Sequence, residues 1–227
     1  MSSSRGNDLL GPLSKLHRRP ELLYVYSRSG AKMDALQHAA YDYLEWTDDP
    51  TNVHMYFVAG LCDLTLRDCD RRWGARGYQE VLFLGSAEDT ISRMKTLIDS
   101  ISAHILYFGA KPCFSTIPPM SLWTWNSNRL EQKKTSFLLH SDHYADMQYS
   151  LNHTIRKVNQ HITETNEANK MVTPNLASTL FSFHNHKSPV PRVHYNRLSD
   201  GVHPTDALTD KWALLINHAM LKNREIY

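Results

Sequence analysis

Short apolar and β-branched runs alternate along this chain with longer stretches whose apolar positions recur every three or four residues. The first run, Glu21-Leu22-Leu23-Tyr24-Val25-Tyr26-Ser27, ends at Ser29-Gly30 and reads as a buried strand leaving into a turn. Met33, Leu36, Ala40 and Leu44 then line one face of a helix closed by Asp48-Asp49-Pro50. The strand pattern returns in Asn52-Val53-His54-Met55-Tyr56-Phe57-Val58-Ala59 and stops at Gly60. Residues 61–85 are charged and glycine-containing, which predicts an irregular excursion with a short helix.

Ser86-Ala87-Glu88-Asp89 resembles a capping box, with Ser86 accepting from a first-turn N–H and Asp89 reaching back. The helix it opens carries the stripe Ile91, Met94, Leu97, Ile98 and Ile101, and a strand is predicted over His104-Ile105-Leu106-Tyr107-Phe108. Residues 109–140 contain Pro112, Pro118, Pro119, Trp123 and Trp125 and predict a long ordered loop, the kind that often carries recognition. Met147, Leu151, Ile155, Val158 and Ile162 mark a helix over about 144–166, and Lys170-Met171-Val172 a short strand. A polar, histidine-rich stretch over 175–199 precedes a last helix, about 205–221, with Leu208, Trp212, Leu215, Ile216 and Met220 inward. Strands alternating with helices imply α/β architecture: a mainly parallel sheet, covered on both faces, with sites beyond the carboxyl ends of the strands.

Composition narrows the class without naming a task. With 227 residues, 41% hydrophobic and 21% charged, the chain suits one globular domain over 1–227. A net charge of +2, with basic residues scattered, argues against nucleic acid or an anionic membrane as partner. Cys62, Cys69 and Cys113 have neither the number nor the spacing of a disulfide framework or a structural zinc site, which fits a reducing compartment. No run approaches the roughly 20 apolar residues of a membrane span, and MSSSRGNDLL lacks a signal-peptide core, so a cytoplasmic or nuclear location is expected. His140, Asp142 and His143 are close in sequence but lack the i, i+4 spacing and third ligand of a helical zinc site, while His184, His186 and His194 read as loop histidines. No metal or other cofactor is expected.

The chemistry concentrates in Asp200-Gly201-Val202-His203, a carboxylate and an imidazole three positions apart on a glycine-containing turn before the last helix. A carboxylate beside His Nδ1 fixes the tautomer and stabilises the imidazolium, so that Nε2 can take a proton from a hydroxyl nucleophile. Together with Gly30 at a strand end and Gly60-Leu61-Cys62-Asp63 at the next, this motif resembles the SGNH/GDSL hydrolase superfamily over most of the chain. The resemblance implies a flavodoxin-like three-layer α/β/α sandwich. It also implies His203 as general base then acid, Asp200 as its orienter, and Gly30 as an oxyanion N–H donor. Gly60, Cys62 and Asp63 match the family's third block, G-x-N-D.

Two departures from the family follow. Cys62 stands where the family has an Asn whose amide donates to the oxyanion, and a thiol is a weak donor. The block G-D-S-[LI] that supplies the nucleophile has no clear counterpart. Gly6-Asn7-Asp8-Leu9-Leu10 is a degenerate version with Asp8 at the serine position, and alternatively Ser2, Ser3 or Ser4 takes the nucleophile's place, Ser4 standing for the group. No apolar run before residue 21 makes the family's first strand. In the order 2-1-3-4-5 that strand is central, so either the natural chain is longer or the sheet closes around the gap.

The function implied is an esterase or deacetylase-like serine hydrolase acting on a small-molecule or carbohydrate ester through an acyl-enzyme. A non-catalytic descendant that keeps the pocket as a binding module is the second expectation, and a fragment of a larger mobile-element-type protein the third. Cys62 as nucleophile is disfavoured, because the family geometry aims His203 at the first-strand serine. Trp123 and Trp125 read either as an aromatic wall for the substrate or as caps on a sheet edge.

Overall fold

The computed structural model describes residues 8–17, 19–68, 80–83, 85–132, 141–182 and 192–225. In chain order the elements are α1 (Leu10–Leu16), α2 (Met33–Glu45), β1 (His54–Phe57), α3 (Leu61–Leu64), β2 (Leu66–Asp68) and β3 (Glu80–Leu82). There follow α4 (Ala87–Tyr107), β4 (Lys111–Phe114), α5 (Leu122–Gln132), α6 (Ala145–Ala168), β5 (Phe181–Ser182), β6 (Arg192–Val193) and α7 (Asp206–Glu225). The fold is mixed α/β and mostly helical, around a small parallel sheet.

At the centre β1 and β4 pair in parallel, His54 opposite Lys111 and Phe57 opposite Phe114. Met55 and Phe57 point to one face. There they join the buried stripes of α2 (Met33, Leu36, Ala40, Leu44), α4 (Met94, Ile98, Ile101, Ile105) and α6 (Leu151, Ile155, Val158, Ile162) in one core. Val58 faces the other way, into a second core with Leu9 and Leu13 at α1 and Leu208, Trp212 and Ile216 of α7. Period-2 strand residues and period-3.6 helix stripes thus meet on both sides of the pair, which is what the alternating pattern predicts.

The sheet is smaller than the pattern predicts. Residues 21–27 form no strand beyond a single bridge residue at Ser27; Pro20–Leu22 is a 3-10 turn, and Leu22 and Tyr24 are exposed. Between residues 22–25 and β1 lies a cavity of about 630 Å³, so among the described residues the sheet does not close between these two segments. The strand expected at 104–108 is the end of α4: Ile105 continues the stripe of Met94, Ile98 and Ile101, while Leu106 and Tyr107 stay exposed. The strand comes after Gly109, whose φ of +83° makes the reversal, and it starts at Lys111. An apolar run that short fits either element, and the helical stripe decides it. The loop expected over 109–140 contains β4 and α5. Lys170-Met171-Val172 is not a strand. At the start of α4, Ser86 accepts from the Asp89 N–H as expected, and its hydroxyl donates to Glu88.

Side-chain amides complete the edges that further strands would have completed. On the far edge of β4, Asn166 accepts from Phe114 N–H at 3.0 Å and donates to Phe114 C=O at 2.7 Å. Asn159 does the same for Ile117, at 2.6 and 2.9 Å. Gln148 accepts from Leu122 N–H and donates to Met120 C=O, both at 2.9 Å. These three residues lie on α6 about three and about two helical turns apart, so they share one face and follow the chain as it leaves β4. Asn126 of α5 clamps both backbone groups of Val81 in β3, and Asn223 of α7 accepts from Val172 N–H at 2.6 Å. A carboxamide offers a donor and an acceptor in one plane, as a neighbouring peptide does, and so satisfies buried backbone groups without a strand. No helix among the described residues is long and apolar enough to cross a membrane.

Candidate functional site

Because β1 and β4 run in parallel, the segments that leave their carboxyl ends share one rim. From β1 the chain turns at Gly60, at φ +109°, into α3. A Cβ at Gly60 would lie 2.5 Å from the Ile117 side chain, which is on the segment leaving β4. Asp63, on α3, accepts from Met33 N–H at 3.0 and 3.2 Å and so caps the start of α2. That contact brings the turn before α2 to the same region: Gly30 sits there at φ +70°, and Ala31 N–H donates to Arg28 C=O. Burial is the main cause that pushes the Asp63 carboxyl up to about 6, against the lowering effect of the Met33 N–H.

The Asp200–His203 turn reaches this rim from the other end of the chain. Ser121 N–H, just before α5, donates to Gly201 C=O at 2.8 Å. Gly201 has φ +89°, and a Cβ there would lie 2.9 Å from Trp125 N and from Thr124 Cβ. Only glycine allows both the left-handed backbone and this approach. The flanking Leu198 and Pro204 form an antiparallel bridge that closes the base of the turn.

Within the turn, Asp200 Oδ1 accepts from Val202 N–H at 2.9 Å and His203 N–H at 2.7 Å. Its Oδ2 lies 2.7 Å from His203 Nδ1. One carboxylate oxygen therefore holds the backbone and the other the ring, which leaves Nε2 as the ring's available proton-transfer atom. Burial alone would raise the pKa of Asp200, but the hydrogen bonds from the His203 ring and from the His203 and Val202 N–H groups outweigh it and leave the group below its ordinary value. The carboxylate thus stays ionised beside the imidazole. Trp125 packs against His203 with ring centroids 5.7 Å apart, and Arg129 lies over the same indole.

Asp63 is thus tied to the start of α2, just after Gly30, and Gly60 to Ile117 of the segment leaving β4, while the Asp200–His203 turn is held by Ser121 further along that segment. Ser4 lies outside the described residues, as do Ser2, Ser3, His140, His184 and His186. Among the described residues no hydroxyl is hydrogen-bonded to His203 Nε2, and no cluster of three or more His, Cys, Asp or Glu residues could hold a metal ion. His194 pairs with Ser182 at 2.6 Å on the short β5–β6 ribbon. Cys113 is buried against Val172 C=O, and burial pushes its thiol far up, which makes it inert as a nucleophile. Trp123 packs against Tyr144, while Trp125 meets the imidazole, so the two tryptophans serve different neighbours.

Sequence reasoning missed α5 as the platform for the Asp-Gly-Val-His turn. The signal was available in Ser121, whose hydroxyl accepts from Thr124 N–H as a helix N-cap does.

No family model matches the chain, and no curated protein matches it. Solved structures do. A candidate acylhydrolase from Bacteroides fragilis superposes with a TM-score of 0.60 at 15% identity, over 98% of this chain and 85% of the other. A GDSL-like lipase from Bacteroides thetaiotaomicron gives 0.59 at 14% identity, over 98% and 86%. A candidate SGNH hydrolase from Slackia heliotrinireducens gives 0.53 at 13% identity, over 96% and 95%. Over nearly its full length, then, this chain has the fold of SGNH/GDSL-like hydrolases.

Proposed function

We propose that this SGNH-like fold, as one domain over 1–227, is a serine ester hydrolase whose site is the rim that carries His203. The observation that carries the reading is the Asp200 Oδ2 to His203 Nδ1 hydrogen bond of 2.7 Å, on a turn locked by two backbone donors to Oδ1. His203 Nε2 takes the proton of a serine hydroxyl as its oxygen attacks the ester carbonyl, and Asp200 stabilises the imidazolium. The tetrahedral oxyanion is met by Gly30 N–H. Collapse expels the alcohol, which takes the proton from His203, and water repeats the sequence on the acyl-enzyme to release the acid. The nucleophile is assigned to the serines of residues 2–4, with Ser4 as the representative. A small-molecule or carbohydrate ester is the substrate class, and no cofactor is needed.

The test is turnover of p-nitrophenyl acetate by the full chain. His203→Ala abolishes it, and Asp200→Asn lowers kcat by about 10⁴, as expected when the orienting carboxylate is lost. Full activity in both variants contradicts the reading.

Cys62 favours a second reading, a binding module that keeps the pocket without the reaction. The residue replaces an oxyanion donor worth about 3 kcal/mol of transition-state stabilisation. That reading predicts no turnover by folded protein and saturable binding of an ester or its acid at the same rim.

A further inference from the structure

Arg129 stands one helical turn beyond Trp125 on α5, and a single indole meets both its guanidinium and the His203 imidazole. The Arg129 Cζ lies 5.4 Å from the centre of the Trp125 ring, and the His203 ring centre lies 5.7 Å from it. Imidazole and guanidinium are therefore no further apart than these two separations laid end to end, a span within reach of a short acyl chain. The support is firm. Trp125 N–H donates to Ser121 C=O at 3.1 Å, and Ser121 N–H holds Gly201 C=O at 2.8 Å. Ser121, Trp125 and Arg129 follow at intervals of four residues, so one side of α5 and its cap leads from the Asp200–His203 turn to the guanidinium. Arg129 is half-buried, yet among the described residues no carboxylate pairs with it. The cation–π contact fixes its position and leaves its fork of N–H donors open to an anion.

We propose that Arg129 sets the substrate class of the His203 site by holding the distal carboxylate of a half-ester of a short dicarboxylic acid, with the acyl chain along the Trp125 indole. The reaction rests on the ester hydrolase reading, whereas capture of the carboxylate does not require turnover. A guanidinium gives a carboxylate two parallel hydrogen bonds, leaves a neutral acyl chain with the indole alone, and repels a cationic one. Arg129 also lies in the last turn of α5, where a cation complements the helix carbonyls. That role bears on stability and not on the choice of ester.

Turnover of mono-4-nitrophenyl glutarate and of 4-nitrophenyl pentanoate by the full chain tests the assignment, with the lower KM expected for the anionic ester. Arg129→Met raises the KM for the glutarate relative to the pentanoate by about tenfold while the ratio of kcat values changes little, and Arg129→Lys recovers part of the loss. Binding is read separately by ligand-observed NMR titration of monomethyl glutarate into folded His203→Ala. One saturable site is expected there, weakened about tenfold when Arg129→Met is added. Circular dichroism and urea unfolding check each variant. Charge-selective binding by a folded chain that hydrolyses neither ester contradicts the hydrolase reading and upholds the Arg129 site. Turnover with a KM ratio that Arg129→Met leaves unchanged, whether or not the variant is less stable, overturns the Arg129 site and spares the hydrolase reading. Absence of monomethyl glutarate binding by folded protein overturns it as well.

Discussion

Asp200 divides its two oxygens between the backbone and the His203 ring, and Gly201 allows the turn to do this against α5. Gly201→Ala places a methyl 2.9 Å from Trp125 N at a φ of +89°. The expected cost is about 1–3 kcal/mol in urea unfolding, with a larger fractional loss of activity because the turn shifts away from α5. Cys62→Asn restores an amide donor where the resemblance places an oxyanion contact, and kcat is expected to rise about 10²-fold if the chain hydrolyses esters. An unchanged kcat in an active enzyme excludes Cys62 from the oxyanion site. The Asp200–His203 pairing was legible in the sequence because its hydrogen bonds are local, whereas the docking of the turn on α5 was not, because Ser121 and Trp125 are distant in the chain. The nucleophile was not, because no strand pattern precedes residue 21 to say where a serine would be held.

The Asp63 carboxyl makes the stability of the fold depend on pH. Its folded pKa of about 6 lies above the ordinary 3.8, so the folded state holds the proton more tightly than the unfolded chain. Its contribution is most favourable at low pH, declines as pH rises through this window, and is constant above it, a change of about 3 kcal/mol. Asp63→Asn keeps an acceptor for Met33 N–H without the buried charge. At pH 7.5 it should unfold at a urea midpoint no lower than the parent, and the difference should shrink as pH falls to 4.5. A less stable variant at pH 7.5 contradicts this.

At the scale of elements, α6 does the work of a strand. Asn166→Ala leaves Phe114 N–H and C=O without their amide in a buried site, at an expected cost of about 2–4 kcal/mol in urea unfolding. Asn166→Asp keeps the acceptor and loses the donor to Phe114 C=O, so it should be destabilised as well, whereas an exposed neighbour such as Glu167→Ala should change little. The apolar stripe of α6 announced the helix, but nothing in it announced that Gln148, Asn159 and Asn166 turn inward. A polar residue in an amphipathic helix reads as solvent-facing unless its phase is followed over several turns. The same limit explains the misplaced strand at 104–108: a five-residue apolar run carries no periodicity of its own, and only the packing of Ile105 with Ile101 and Ile98 decides it.

Across the whole molecule, two parallel strands send the segment that carries Asp63 and the segment that carries Ser121 out of the same end of the pair, where the first holds the start of α2 and the second the Asp200–His203 turn. The alternation of strand and helix patterns was sufficient to anticipate the parallel pairing, because crossover connections leave the ends of parallel strands on a common side. The number of strands was not legible. Hydrophobic runs say what is buried, and here part of that burial is completed by helix amides and by loops such as Val172, held by Asn223.

Treatment of the folded full chain with a fluorophosphonate probe, followed by mass spectrometry of the labelled peptide, tests the hydrolase reading most directly. The account predicts one adduct, on a serine among residues 2–4, that disappears in His203→Ala while the fold is retained. No adduct on folded protein, or an adduct that His203→Ala leaves untouched, contradicts it.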